Sequence, residues 1–220
     1  MESMSNVRSL NLSFIGLVAV AIFISYLPII SIPFTWVMTF FHEISHGIAA
    51  LITGGSVDSI RLHLNGSGLC YTQGGVRFIV TFAGYTGAVV WGMLLYMMAD
   101  RFSHHRSEII AFFLSGLILI SALLWGRDVL TWVILAILFC LFISIIKLQK
   151  TYVMKLALKF IGIYVLLDAV KAPLHLIDGR HYGDGATLAD LTWIPEIMWA
   201  ILWFVIGISG LFVIARNRTK

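Results

Sequence analysis

The chain has 220 residues, of which 60% are hydrophobic and only 12% charged, with a mean hydropathy of +0.95. An ordinary soluble domain carries about 25% charged residues, so this composition argues against one and points to an integral membrane protein. The formal net charge of +4 is scattered over loop and terminal Lys and Arg without a basic stripe, which fits headgroup contact and topology and gives no footing for nucleic acid. The two cysteines, Cys70 and Cys140, make neither a disulfide framework nor a Cys-based metal site.

The first ten residues lack a basic stretch followed by a small-residue cleavage site, so the first apolar segment reads as a retained span rather than a signal peptide. A spanning helix needs roughly 20 mainly apolar residues. The first candidate covers residues 12–30, closed by Pro28 and Pro33, and the second covers 34–53, stopped by Gly54-Gly55. The short connection between them predicts an antiparallel helical hairpin. Residues 56–73 are the longest polar interruption of the first half. Ile60-Arg61-Leu62-His63-Leu64 alternates apolar and polar, Asn65-Gly66-Ser67-Gly68 breaks the pattern, and Leu69-Cys70-Tyr71-Thr72 follows, which predicts a short β-hairpin. Such a hairpin can sit at the mouth of a site and hold an extended peptide by strand addition, with the stretch from Ile60 to Tyr71 as the candidate substrate-binding element. The competing reading is a plain connecting hairpin.

The third span covers 78–98. Its run Ala83-Gly84-Tyr85-Thr86-Gly87-Ala88 predicts close helix packing in preference to any direct role. Residues 100–108 read as a charged loop, in which the adjacent His104 and His105 point apart and make no metal pair. Further spans are expected at 109–125, 129–146, 153–174 (containing Asp168) and 194–214, with 177–192 as a polar loop. Trp193, Trp199 and Trp203 suit an interfacial belt. No internal repeat supports an inverted-repeat transporter. The expected fold is an all-α polytopic membrane protein of about six to seven transmembrane helices with one short β-hairpin after the second helix. It forms a single integral membrane domain over residues 1–220, with a metal helix at about 34–53, the hairpin at about 56–73 and a third-ligand helix at about 153–174. The Lys and Arg balance between loops is too even to set the orientation.

The chemistry sits in Phe41-His42-Glu43-Ile44-Ser45-His46-Gly47, an H-E-x-x-H pattern inside an apolar helix. Residues four apart share a helix face, so His42 and His46 present two imidazoles to one point, and Glu43 is placed to act as general base on a metal-activated water. A catalytic zinc uses three protein ligands and leaves one position open. Polar residues are costly in lipid and are functional there by default, which gives a short pattern its weight in this setting. The third ligand is expected to be Asp168, set deep in Ile163-Tyr164-Val165-Leu166-Leu167-Asp168. A carboxylate at that depth costs a few kcal/mol unless a cation offsets it. The competing reading pairs Asp168 with Lys171 one helical turn on. Asp178 and then Asp184 are the alternatives, each beside glycine in a setting that reads as a turn.

These residues resemble the site-2 protease-like intramembrane zinc metalloproteases, most closely the compact bacterial branch without a PDZ domain. The resemblance rests on the run from Phe41 to Ala50 followed by Thr53-Gly54-Gly55, on Ala83-Gly84-Tyr85, and on Gly183-Asp184-Gly185-Ala186 with Leu188-Ala189, Thr192, Pro195 and Trp199. It covers most of the chain in order, but only the first motif is sharp. It implies hydrolysis of a peptide bond at or within the membrane, with one Zn2+ per chain held by His42, His46 and an aspartate, and Glu43 as base. Better-known members carry an Asn-Pro…Leu-Asp-Gly motif whose aspartate is the third ligand. Here Leu176-Ile177-Asp178-Gly179 follows that pattern without the upstream asparagine. The implied partners are a membrane protein or peptide substrate and the lipid bilayer, with no nucleic acid, and the implied location is the bacterial inner (cell) membrane. The alternative from another class is a metal-ion or proton transporter lined by the same His, Glu and Asp side chains.

Overall fold

The computed structural model describes residues 12–101, 104–148, 150–176 and 181–216. In chain order these form α1 (Leu12–Ser25), α2 (Pro28–Ile52), β1 (Ser56–Leu62), β2 (Gly68–Gln73), α3 (Arg77–Arg101), α4 (His104–Trp125), α5 (Val129–Ile146), α6 (Thr151–Lys171), a 3-10 turn (Ala172–Leu176), α7 (Asp184–Thr192) and α8 (Glu196–Arg216). Among the described residues the protein is all-α apart from one two-stranded antiparallel hairpin directly after the second helix.

Of the two prolines expected to close the first span, one instead opens the second and the other lies inside it. Pro28 occupies the first turn of α2, where its missing N–H has no intrahelical partner to lose and its fixed φ suits a helix, and α2 runs on through Pro33. This leaves α1 only 14 residues, about 21 Å at 1.5 Å per residue, which is short of a bilayer core. The axes of α1 and α2 turn by 111° at the break, so they count together as at most one broken span and do not form an antiparallel pair. Among the described residues, α3, α4, α5 and α8 are long and apolar enough to cross a membrane, which with the bent pair makes up to five. α6 has the length at 21 residues but carries Lys155, Lys159, Asp168 and Lys171. It lies at the centre of the bundle, with Ile161, Ile163, Val165, Leu166 and Ala169 all buried.

The outward faces of the long helices are apolar. Phe112 is 70% exposed, Leu123 64% and Phe212 59%. Exposed apolar surface of this kind on α4 and α8 is a lipid-facing wall. Two segments expected as loops are helical. α3 and α4 extend to Arg101 and from His104, and α7 occupies the second half of the stretch expected as a polar loop. α7 starts after Gly183, whose φ of +99° turns the chain into the helix. It buries Gly185, Ala186 and Leu188 while Asp190 faces out.

The hairpin is fastened on two sides. Its turn lies on α2, where the Trp36 indole N–H donates to the His63 carbonyl at 3.0 Å and the Thr39 hydroxyl donates to Gly66. β1 turns Ile60 and Leu62 fully inward, and the Leu62 N–H donates to the Thr131 hydroxyl of α5 at 2.9 Å. β2 pairs with β1 from Ser56 opposite Gln73 to Leu62 opposite Gly68, with a bulge between Val57 and Ser59. The hairpin therefore lies pressed against the helix that carries the H-E-x-x-H pattern.

Candidate metal centre

His42, Glu43 and His46 lie in the middle of α2, with Glu43 and His46 buried despite their polarity. The His46 ring is fixed by its inner nitrogen: Nδ1 donates to the Val80 carbonyl of α3 at 2.7 Å. A carbonyl only accepts, so that bond places the proton on Nδ1 and leaves Nε2 with a lone pair for a ligand. Nε2 of His46 and Nε2 of His42 approach to 3.0 Å, with the rings edge to face. The third member is Asp184, the first residue of α7, whose Oδ2 is 3.1 Å from His42 Nε2 and 3.3 Å from His46 Nε2.

Three ligand atoms placed about 2.0–2.1 Å from one ion at tetrahedral angles would stand about 3.3 Å apart. The observed separations of 3.0, 3.1 and 3.3 Å come close to that. Two imidazole nitrogens and one carboxylate oxygen are also a donor set that catalytic zinc uses. The carboxyl of Asp184 belongs to a type that is ionised near neutral pH. It is therefore an anion, the form that ligates. The residues present fit the metal.

The surroundings are built by α3 and β2. Gly84 of α3 abuts both imidazoles: a Cβ there would lie 2.6 Å from His42 Cε1 and would overlap the His46 ring. Tyr85 stands edge-on to His42 with ring centroids 4.5 Å apart. Ser45 is tied to the same helix by the Trp91 indole N–H at 3.2 Å. The small-residue run of α3, expected to serve packing, thus packs on the imidazoles themselves. On the other side β2 passes over Glu43, whose carboxylate accepts the Cys70 backbone N–H. A side chain at Gly68 would collide with the Glu43 Cγ at 2.7 Å. A cavity of about 860 Å3 opens from the three converging atoms and Glu43, bordered by β2 at Leu69 and Cys70 and by α3 at Val80 and Tyr85.

The aspartates expected to compete for the third position fall in different places. Asp184, ranked last, is the one whose carboxylate meets the imidazoles, and the group with three ligand atoms within 4.8 Å of one another is His42, His46 and Asp184. Asp168 is not in that group. The ionisable groups that face it are Lys171, one turn along α6, and His175. Asp178 lies outside the described residues. Among the described residues, the part that sequence reasoning missed is the α3 wall formed by the Val80 carbonyl, Gly84 and Tyr85. Its available signal was the placement of glycine and alanine opposite the metal helix.

A family model described as Peptidase M50B-like matches residues 15–214. No match is found among curated proteins or among solved structures.

Proposed function

The chain belongs to the Peptidase M50B-like family, and from that premise we propose that it is an intramembrane zinc-dependent endopeptidase of the bacterial inner membrane. The observation that carries this reading is the meeting of His42, His46 and Asp184 beside Glu43 at the floor of a cavity walled by a strand. His42, His46 and Asp184 would hold the zinc, in place of the expected Asp168. Bound there, zinc would supply the Lewis acidity that makes water a nucleophile near neutral pH and polarises a carbonyl.

The remaining work falls to side chains of this protein. Glu43 is aimed by the Cys70 N–H, takes a proton from the attacking water and delivers it to the departing amine. The Val80 carbonyl and the α3 wall keep the imidazoles in one orientation, so the site spends no reorganisation during reaction. β2 is paired on one side only, to β1, and its residues Gly68, Leu69, Cys70 and Thr72 border the cavity. An extended segment of a membrane protein or peptide would align with it and present a backbone carbonyl to the site.

The test is Glu43→Gln, which keeps the shape of the side chain and removes the base. Cleavage should fall by at least about 10²- to 10⁴-fold, while zinc stays near one per chain and the thermal unfolding midpoint is unchanged. Normal cleavage by that variant would sink the mechanism. Metal uptake into liposomes that Glu43→Gln alters, with no proteolysis by the parent, would support a transporter instead.

A further inference from the structure

Hydrolysis moves the electron pair of the scissile C=O onto its oxygen, where negative charge develops. A preorganised donor aimed at such an oxygen contributes on the order of 10²- to 10³-fold to kcat. Polar side chains on the cavity border can therefore be compared as donors. His63 and Asn65 are exposed on the hairpin turn, where the Asn65 Oδ1 accepts from the Ser67 N–H at 3.1 Å and hydroxyl at 2.8 Å. His181 is 61% exposed and faces Asp190 at 3.2 Å and Glu196 at 3.6 Å. Their positions are on solvated loops.

Tyr85 differs in each respect. It follows Gly84, the residue flush against both imidazoles, on a rigid helix. Its ring is held between His42 at 4.5 Å and Trp203 of α8 at 4.8 Å, so two aromatic neighbours fix it. It borders the same cavity as Glu43 and Asp184. A phenol is neutral near pH 7 and donates one hydrogen bond without giving up its proton.

We infer that Tyr85 is a catalytic residue whose hydroxyl donates a hydrogen bond to the oxygen of the scissile carbonyl as negative charge develops there. This rests on the peptidase reading above. The water oxygen bonds to the carbonyl carbon, the C=O pair moves to oxygen, and Tyr85 keeps its proton throughout. When the pair returns, the C–N bond breaks towards nitrogen, which takes the proton carried by Glu43.

The experiment uses the full chain, zinc-loaded in detergent, with a quenched-fluorescent peptide that the parent cleaves and a phosphinic analogue of that peptide, whose tetrahedral oxygens mimic the reacting carbonyl. Tyr85→Phe keeps the ring between His42 and Trp203 and removes the hydroxyl. It should lower kcat on the order of 10²- to 10³-fold with KM changed by less than about twofold, and weaken the phosphinic analogue by a similar factor. Zinc content should stay at the parent level. Unchanged kcat and unchanged analogue affinity would make Tyr85 a packing residue and overturn the inference, and so would loss of zinc, which would make it a support for His42. Should Tyr85→Phe fold poorly, 3-fluorotyrosine at position 85 retains the shape with a more acidic phenol. A more acidic phenol is a stronger donor, so this variant should bind the phosphinic analogue more tightly than the parent, and unchanged affinity would again overturn the inference. An inactive Glu43→Gln beside a fully active Tyr85→Phe defeats this inference alone, whereas an active Glu43→Gln defeats the peptidase reading as well.

Discussion

Asp184 and Asp168 show how one residue's setting decides its role. Asp168 was attractive because a lone carboxylate in an apolar helix demands a compensating cation. In the fold the ionisable groups beside it are Lys171 and His175, from its own stretch of chain. Asp184 looked like a turn residue because glycine flanks it, yet those glycines serve the site: Gly183 gives the chain its left-handed entry, and a Cβ at Gly185 would meet Glu196 at 2.8 Å. The two-histidine pattern was legible because its imidazoles are four residues apart on one helix. The aspartate was not, because 138 positions separate it from His46 (184 − 46) and no local rule spans that gap. The Gly183-Asp184-Gly185-Ala186 run was nonetheless part of the family resemblance. Asp184→Ala should take bound zinc from one per chain to near none, while Asp168→Ala should leave it at one, both read by metal analysis of the purified protein. Gly84→Ala is a second test at this scale. Its added methyl must displace an imidazole, so zinc affinity should fall on the order of ten- to a hundredfold, as for loss of a group that orients a ligand.

At the scale of elements, the hairpin was legible because its turn chemistry is local: Gly66 takes a φ of +83° and Asn65 folds back on Ser67. The start of α2 was misread because proline ends a helix from within but favours its first turn, and sequence alone does not say which applies. α5 carries a start signal that does follow the rule. Asp128 caps it, accepting the Thr131 N–H and hydroxyl, each at 2.8 Å, and that same hydroxyl accepts the Leu62 N–H of β1. One carboxylate thus steadies both the helix and the strand that frames the cavity. Asp128→Ala should cost about 1 kcal/mol at pH 7. Burial acts against the charge at Asp128, but the Thr131 hydrogen bonds, with Arg61 and His63, prevail and lower its pKa. A lowered folded-state value means that the stabilisation is complete above the unfolded pKa of about 3.9 and disappears as pH falls through the folded one. The unfolding midpoints of the parent and Asp128→Ala should therefore differ at pH 7 and converge in acid. A gap that persists at pH 2 would show that the cap acts through something other than its charge.

For the whole molecule, composition already announced the membrane, while the number of spans required knowing which apolar helices meet lipid and which meet each other. α6 belongs to the second kind, and its seam with α3 ties the centre of the bundle to the metal centre. At that seam a Cβ on Gly162 would lie 2.8 Å from the Gly92 carbonyl and 2.9 Å from the Tyr96 nitrogen, both backbone atoms that a side-chain rotation cannot relieve. Backbones this close are the means by which helices associate where lipid offers no hydrophobic drive. Gly92 stands eight residues along α3 from Gly84, about 12 Å at 1.5 Å per residue, so a displacement at the seam is transmitted along a rigid helix to Gly84, Tyr85 and the Val80 carbonyl. Gly162→Leu should therefore destabilise the fold by about 1–3 kcal/mol or more and also weaken zinc binding, although residue 162 touches no ligand. The control is Phe112→Leu on the lipid-facing wall, which should stay within about 0.5 kcal/mol of the parent and keep its zinc. Unfolding in detergent and metal analysis on the same samples read both effects. A Gly162→Leu protein that is destabilised but holds zinc with parental affinity would show that α3 bends between the seam and the site, and that the metal centre is held by α2 and α7 alone.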